Sequence, residues 1–173
     1  SLKGLTPERA METVFSGNPW TTSFTEDSFG NIWIGTYRNG TFCFHKNQTP
    51  FQKSMSGKNI ECMSTDHSGN YWIGSLNGEV CVLDSTQKQI MGKTIFPNDM
   101  IHTIYGQESS NKVWVGTMYG LYEAWIESNK QIVYQKTSGI NIPSIRSIVQ
   151  DSCFLWIASY NNGVTLYNYS TQQ

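Results

Sequence analysis

The stretch HSGNYWIGSLNG, residues 67–78, has a near copy 39 residues earlier, SFGNIWIGTYRNG at 28–40. Weaker copies follow as SSNKVWVGTMYG at 109–120 and SCFLWIASYNNG at 152–163. Trp33, Trp72, Trp114 and Trp156 are therefore spaced by 39, 42 and 42 residues. Six residues before the Trp stands Asp27, Asp66 or Glu108, and in the fourth copy Asp151 stands five before. After it come Gly35, Gly74, Gly116 or Ala158, and then the turn glycines Gly40, Gly78, Gly120 and Gly163. Four matches in one order make an internal repeat, and a repeat has to be explained before anything else in a sequence.

Each unit reads as short strands. IECMSTD, NYWIGS and EVCVLD are brief runs of β-formers broken by Gly, Asn, Asp and Ser, and no segment keeps a helical apolar stripe over three turns. SGN and LNG supply the φ > 0 positions that tight hairpins need. A unit is thus a meander of strand A ending at the acidic residue, strand B carrying the Trp, strand C after the turn Gly, and a looser strand D such as QIMGKTI or QIVYQKT. A period near 40 residues with four strands predicts an all-β fold, a β-propeller with four four-stranded blades. The repeats run over about 20–58, 59–98, 99–141 and 142–173, in a single propeller domain or propeller segment. Such sheets are apolar on both faces, which places the Trp row between blades and lets the Gly after the Trp admit a neighbouring sheet.

FSGNPW at 15–20 matches MSGKNI at 55–60, so METVF at 11–15 reads as a strand D without its own A, B and C. The closing YNYSTQQ matches VLDSTQK at the C-to-D turn of the second unit, leaving the last unit without strand D. The N-terminal strand is expected to complete the last blade and so remove open edges. A four-bladed ring, a homodimer sharing an eight-bladed ring, and the remaining blades of a larger propeller are the three arrangements open to it.

Composition narrows the class. Charged residues are 14% and hydrophobic ones 38%, too little charge and too much apolar matter for a disordered segment. The net charge is −1 with Lys and Arg scattered, so no nucleic-acid or anionic-lipid footprint exists. No apolar run approaches the ~20 residues of a membrane-spanning helix. The chain starts at Ser1 rather than Met, which reads as a processed or excised chain, so missing targeting signals carry no weight. Cys43, Cys62, Cys81 and Cys153 show neither a CxxC pair nor a His at metal-ligand spacing, and read as buried thiols, with a disulfide as the alternative. No metal or cofactor is expected.

The pattern ED..GN.WIGT..NG, carried by Glu26-Asp27, Gly30-Asn31, Trp33-Ile34-Gly35-Thr36 and Asn39-Gly40, closely resembles the two-component regulator propeller repeat. Asp66, Gly69-Asn70, Trp72-Ile73-Gly74-Ser75 and Asn77-Gly78 carry it again. The third copy lacks the first Gly; the fourth lacks it too and has Ala158 for the second. The resemblance implies the sensor region of a bacterial hybrid two-component system. It further implies a periplasmic location in an inner-membrane-anchored parent, and sensing of oligosaccharides from polysaccharide breakdown.

Residues repeated in every unit are scaffold: Asp27, Asp66 and Asp151 with the Trp row and Gly35, Gly74 and Gly116. Asx-type carboxylates accept from N–H groups of the following turn, and a ring at one strand position packs between sheets. Function is expected where repeats differ, in the B–C and D–A connections. The B–C loops bring Tyr37, Arg38, Asn39, Asn77, Tyr119, Tyr160, Asn161 and Asn162 to one end; the D–A connections add Trp20, Asn59, Asn98 and Asn141. Aromatic faces cover sugar C–H groups, amides meet hydroxyls, and an Arg takes a carboxylate or sulfate bidentately.

Catalysis finds little support in these residues. STDHSGNYW resembles the sialidase box with one residue too many, and the only arginines are Arg9, Arg38 and Arg146, at unrelated repeat positions. Propeller lyases of the streptogramin type share a Gly-x-x-Trp repeat and use a His base. His45, His67 and His102 share no repeat position, and only His102, on strand A, is a candidate for that role. Nucleophile elbows and phosphate loops are absent. The expectation is a non-catalytic sensor, with a propeller lyase or hydrolase as the alternative.

Overall fold

A computed structural model describes residues 20–45, 48–54, 57–84 and 89–172. The proposed N-terminal strand at 11–15 lies outside the described residues. Among these residues the structure is all β: fifteen strands in four antiparallel sheets, of four, four, four and three strands. The chain divides into two compact units, Ser1–Glu61 and Cys62–Gln173.

The first unit holds the first sheet, Thr21–Glu26 (β1), Ile32–Thr36 (β2), Gly40–His45 (β3) and Gln48–Ser54 (β4), in the order β1-β2-β3-β4. Trp33 pairs across the ladder with Thr25 on one side and Cys43 on the other, and is buried together with Cys43 and Phe42. Thr36 closes the B–C turn: its Oγ1 donates to the Gly40 carbonyl at 2.7 Å and accepts from the Asn39 N–H at 3.1 Å.

The second sheet is Ile60–Thr65 (β5), Tyr71–Ser75 (β6), Glu79–Leu83 (β7) and Gln89–Thr94 (β8). The third is Ile101–Gly106 (β9), Lys112–Thr117 (β10), Leu121–Ile126 (β11) and Ile132–Lys136 (β12). The last is Ile145–Asp151 (β13), Phe154–Ser159 (β14) and Gly163–Asn168 (β15), with no strand D among the described residues.

Within the second unit the sheets pack face on face by a repeated rule. Trp72, Val80 and Val82 of the second sheet form one buried cluster with Ile101, Ile104, Val113, Val115 and Ala124 of the third. One sheet further on, Trp114 and Leu121 meet Ile145, Ile148, Leu155 and Ile157. The Trp-bearing face of one sheet is thus covered by strand A and strand B aliphatics of the next. Each fully buried Trp or Ile side chain contributes roughly 1.5–3 kcal/mol or more.

This packing explains the Gly that follows Trp72 and Trp114. A Cβ on Gly74 would stand 2.7 Å from Ile101 Cγ2, and one on Gly116 would stand 2.5 Å from Ile145 Cγ2. The next sheet's isoleucine, together with Cys62 Sγ at 2.8 Å and Thr103 Cγ2 at 2.6 Å in the glycine's own sheet, occupies the space a side chain would need.

The last sheet differs from the expectation for the Trp row. Its outward face carries Val149, Phe154, Trp156, Val164 and Leu166, all exposed, whereas Trp72 at the same ladder position is fully buried. Val149, Trp156 and Leu166 pair directly across the three strands, so the apolar row is continuous. Trp156 is 48% exposed: among the described residues of the second unit no sheet covers this face. Ala158 in place of Gly belongs to the same face, where no isoleucine of the second unit's described residues presses on it.

The cysteines form no disulfide among the described residues; Cys43, Cys62 and Cys81 are buried and Cys153 partly so. Burial, and secondarily the Asp27 carboxylate, pushes the Cys43 thiol up to about 12. No helix among the described residues is long and apolar enough to cross a membrane.

Candidate functional site

The acidic residue and the GN.W that follows it form one hydrogen-bonded unit. Asp27 Oδ1 accepts from the Phe29 and Asn31 N–H groups at 2.9 and 2.8 Å. Its Oδ2 accepts from Asn31 Nδ2 at 2.8 Å and Trp33 Nε1 at 3.2 Å. Asp66 takes the Asn70 N–H, Asn70 Nδ2 and Trp72 Nε1, each at 2.9 Å. Gly30 and Gly69, at φ 78° and 79°, donate to the carbonyls of Asp27 and Asp66 and turn the chain so that these donors converge. The carboxylates are fully engaged in tying strand A to strand B.

The third and fourth copies depart from this. The backbone bond from Asp27 N–H to Asn31 O is matched by Gln107 N–H to Lys112 O, so the structural counterpart of Asp27 is Gln107 and not Glu108. One extra turn residue shifts the register, and Glu108 is exposed. Gln107 accepts from Ser110 Oγ at 2.8 Å and donates to Glu123 at 2.9 Å. Asp151 pairs with Phe154 across a two-residue turn and is exposed, so it does not play the part of Asp27.

The loop ends are built by a second repeated bond. The residue after strand B donates its N–H to the carbonyl just before strand A: Tyr37 to Trp20, Met118 to Met100, Tyr160 to Ser144. In the first unit this brings Trp20, 74% exposed, to 6.0 Å from the Tyr37 ring, with the Arg38 guanidinium 5.3 Å over that ring.

In the second unit Tyr119 and Tyr160 are exposed on neighbouring loops, which Ser144 ties together by donating to the Met118 carbonyl and accepting from Tyr160 N–H. The Arg146 guanidinium lies 5.4 Å over the Tyr160 ring, and its NH1 is 3.1 Å from His102 Nδ1. Arginine only donates, so Nδ1 accepts and the ring nitrogen a general base would need is already engaged. His102 is buried, and burial, helped by Arg146 and opposed by Asp99, lowers its pKa below 6.5. Asn77 is spent inside its turn, accepting from Ser75 Oγ and Glu79 N–H. Asn161 and Asn162 are exposed in the last B–C turn.

Two contributors were missed from the sequence. Asp99 is buried and its Oδ1 accepts from Met100 and Met118 N–H at 2.8 and 3.0 Å, holding a D–A connection against a B–C loop. The PND turn before strand A carries the signal for it. Arg146 reaches His102 of the preceding sheet from β13, a contact no repeat position announces. Among the described residues no cluster of three His, Cys, Asp or Glu side chains is placed to hold a metal ion.

Residues 15–38 match the family model described as two component regulator propeller. Among solved structures, the chain is similar to the extracellular domain of a B. thetaiotaomicron protein named as a hybrid two component system. Identity is 24% and the TM-score 0.67, over 90% of this chain and 22% of the other. The extracellular domain of a B. thetaiotaomicron one component system is similar at 23% identity and TM-score 0.65, over 86% of this chain and 20% of the other. The β-propeller domain of Cps50 (Swd1) from Myceliophteria thermophila matches at 10% identity and TM-score 0.62, over 81% and 53%. The chain spans about a fifth of the length of the two bacterial structures. No curated protein matches the chain. The sheets described above are β-propeller blades.

Proposed function

We propose that this chain is a non-catalytic, extracytoplasmic sensing propeller of a two-component signalling protein, facing the periplasm of a membrane-anchored parent and binding oligosaccharide at its loop ends. One observation carries the reading. The repeated carboxylates are consumed as scaffold, while the variable loop ends present rings paired with guanidinium groups, the exposed Tyr160 with Arg146 and the half-buried Tyr37 with Arg38. Stacked rings beside charged donors suit a sugar's C–H face and its hydroxyl or acid substituents. The engagement of His102 Nδ1 by Arg146 favours binding over lyase chemistry.

The outward face of the last sheet fits a further sheet of the same repeat, supplied by a second copy as a homodimer or by the remaining blades of a larger propeller. Calorimetry against a panel of plant and host oligosaccharides tests the loop-end site. Saturable heat that is lost in Tyr160→Ala and Tyr37→Ala is expected. Binding that survives both substitutions, or no binding across the panel, contradicts it.

A further inference from the structure

Strand B ends on a hydroxyl residue in every unit, Thr36, Ser75, Thr117 and Ser159, and in the first three that hydroxyl clamps the turn that follows. Thr36 Oγ1 donates to the Gly40 carbonyl and accepts from the Asn39 N–H. Thr117 Oγ1 donates to the Gly120 carbonyl at 3.2 Å and accepts from the Tyr119 N–H at 3.1 Å. Ser75 Oγ donates to the Glu79 carbonyl at 3.0 Å. Ser159 Oγ, by contrast, is buried and makes no hydrogen bond among the described residues. The fourth turn lacks the clamp, and Tyr160, Asn161, Asn162 and Gly163 are all exposed.

Three of these turns also hold Asn followed by Gly: Asn39-Gly40, Asn77-Gly78 and Asn162-Gly163. A glycine nitrogen, with no Cβ beside it, can approach the side-chain carbonyl of the preceding Asn once the peptide between them rotates. Two of the pairs are restrained. Asn39 is half-buried and Gly40 buried, and the Thr36 hydroxyl holds the peptide groups on both sides of their bond. The Asn77 side chain is engaged by Ser75 Oγ and the Glu79 N–H, and the Gly78 N–H donates to the Ser75 carbonyl at 3.1 Å. Gly78 is also boxed in, since a Cβ there would stand 2.0 Å from the Phe96 carbonyl oxygen. Around Gly163 a Cβ would meet nothing within 4 Å, and the Asn162 side chain makes no hydrogen bond among the described residues.

We propose that Asn162 is a site of spontaneous covalent modification, closing onto the Gly163 nitrogen to a succinimide that water opens to aspartate or isoaspartate. The Gly163 N–H gives its proton to hydroxide, the nitrogen forms a bond to Asn162 Cγ, and the side-chain Nδ2 leaves as ammonia. Water then breaks one of the two imide C–N bonds. Cleavage at Cγ restores the main chain and leaves an aspartate. Cleavage at the main-chain carbonyl carbon routes the chain through Cβ and Cγ and leaves isoaspartate. Water is the sole co-reactant and ammonia the sole leaving group, and nothing is oxidised or reduced. The neutral amide becomes a carboxylate two residues from Tyr160, in the turn whose clamp is missing.

This reactivity does not depend on any ligand at the loop ends. The test holds the full chain in warm, mildly alkaline buffer, follows each Asn-Gly peptide by mass mapping over time, and counts isoaspartate with an isoaspartyl methyltransferase. Asn162 is expected to convert about tenfold faster than Asn39, which is held by the two clamping bonds that Asn162 lacks, and faster than Asn77 by a similar factor. In urea the three rates should converge, because the restraints are then gone. Thr36→Val, which removes the first turn's clamp, should bring Asn39 toward the rate of Asn162. Asn39 or Asn77 converting as fast as Asn162 in the folded chain overturns the proposal, and so does an Asn162 that stays intact. A preference for Asn162 that persists in urea overturns it too, since the fold would then have no part in it. An Asn39 rate unmoved by Thr36→Val removes the clamp on which the proposal rests.

Discussion

Replacing Asp66 by Ala separates scaffold from ornament among the repeated carboxylates. The substitution removes the acceptor of three bonds of 2.9 Å, from the Asn70 N–H, Asn70 Nδ2 and Trp72 Nε1. Asn70 is only half-buried, so its two donors regain water and each lost bond costs about 0.5–1.5 kcal/mol. Trp72 is fully buried, so its indole N–H is left unpaired at about 1–3 kcal/mol. The sum, reduced by local relaxation, is roughly 2–4 kcal/mol, or a drop in Tm of roughly 5–15 °C in a chain of this size. Asp151→Ala is the control: it sits at the equivalent place, is exposed, and should cost no more than about 0.5 kcal/mol. Urea unfolding followed by Trp fluorescence measures both. Equal destabilisation by the two substitutions would refute the idea that the carboxylate works by capturing the indole and its turn.

Three further outcomes are expected. Cys43, with its thiol raised to about 12, should resist a thiol reagent at pH 8 until the protein is unfolded, while the partly exposed Cys153 reacts first; mass mapping of labelled peptides reads this. His102 has a lowered folded pKa, so the unfolded chain takes up the proton first as pH falls through 6.5; stability is complete above that value and declines below it. His102→Gln should flatten that decline in unfolding curves taken across the window. Trp156→Glu, on the exposed apolar face of the last sheet, should leave the melting temperature nearly unchanged while reducing concentration-dependent self-association in light scattering.

The repeat made the sheets legible because each strand alternates or runs apolar between turn residues whose chemistry is local. The positions of β1 to β15 follow from that. Glu108 stands six residues before Trp114, as Asp27 does before Trp33, but a turn one residue longer puts the capping place at Gln107, seven before the Trp, and only the backbone bond to Lys112 reveals it. Trp156 looked like Trp72 because a sequence shows which face is apolar and not whether another sheet lies on it. At the loop ends, Tyr37, Arg38, Tyr119 and Tyr160 were readable as departures from the repeat. The Arg146–His102 contact was not, since it arises from how one sheet's register meets its neighbour. Asn77 misled for a local reason: an Asn before a turn Gly satisfies its own turn as readily as it meets a ligand.

The account stands on blades that press the Trp-bearing face of one sheet, relieved by its glycine, onto the isoleucines of the next. A double-mutant cycle between Gly116→Ala and Ile145→Ala measures that contact directly, since the new methyl would fall 2.5 Å from Ile145 Cγ2. Alone, Gly116→Ala should cost about 1–3 kcal/mol by overpacking, and Ile145→Ala about 2–5 kcal/mol by opening a cavity. Together they should cost about 0.5 kcal/mol or more less than the sum, because the methyl is relieved of Ile145 while still meeting Thr103 Cγ2 at 2.6 Å in its own sheet. Strict additivity of the two would contradict the stacking of these sheets.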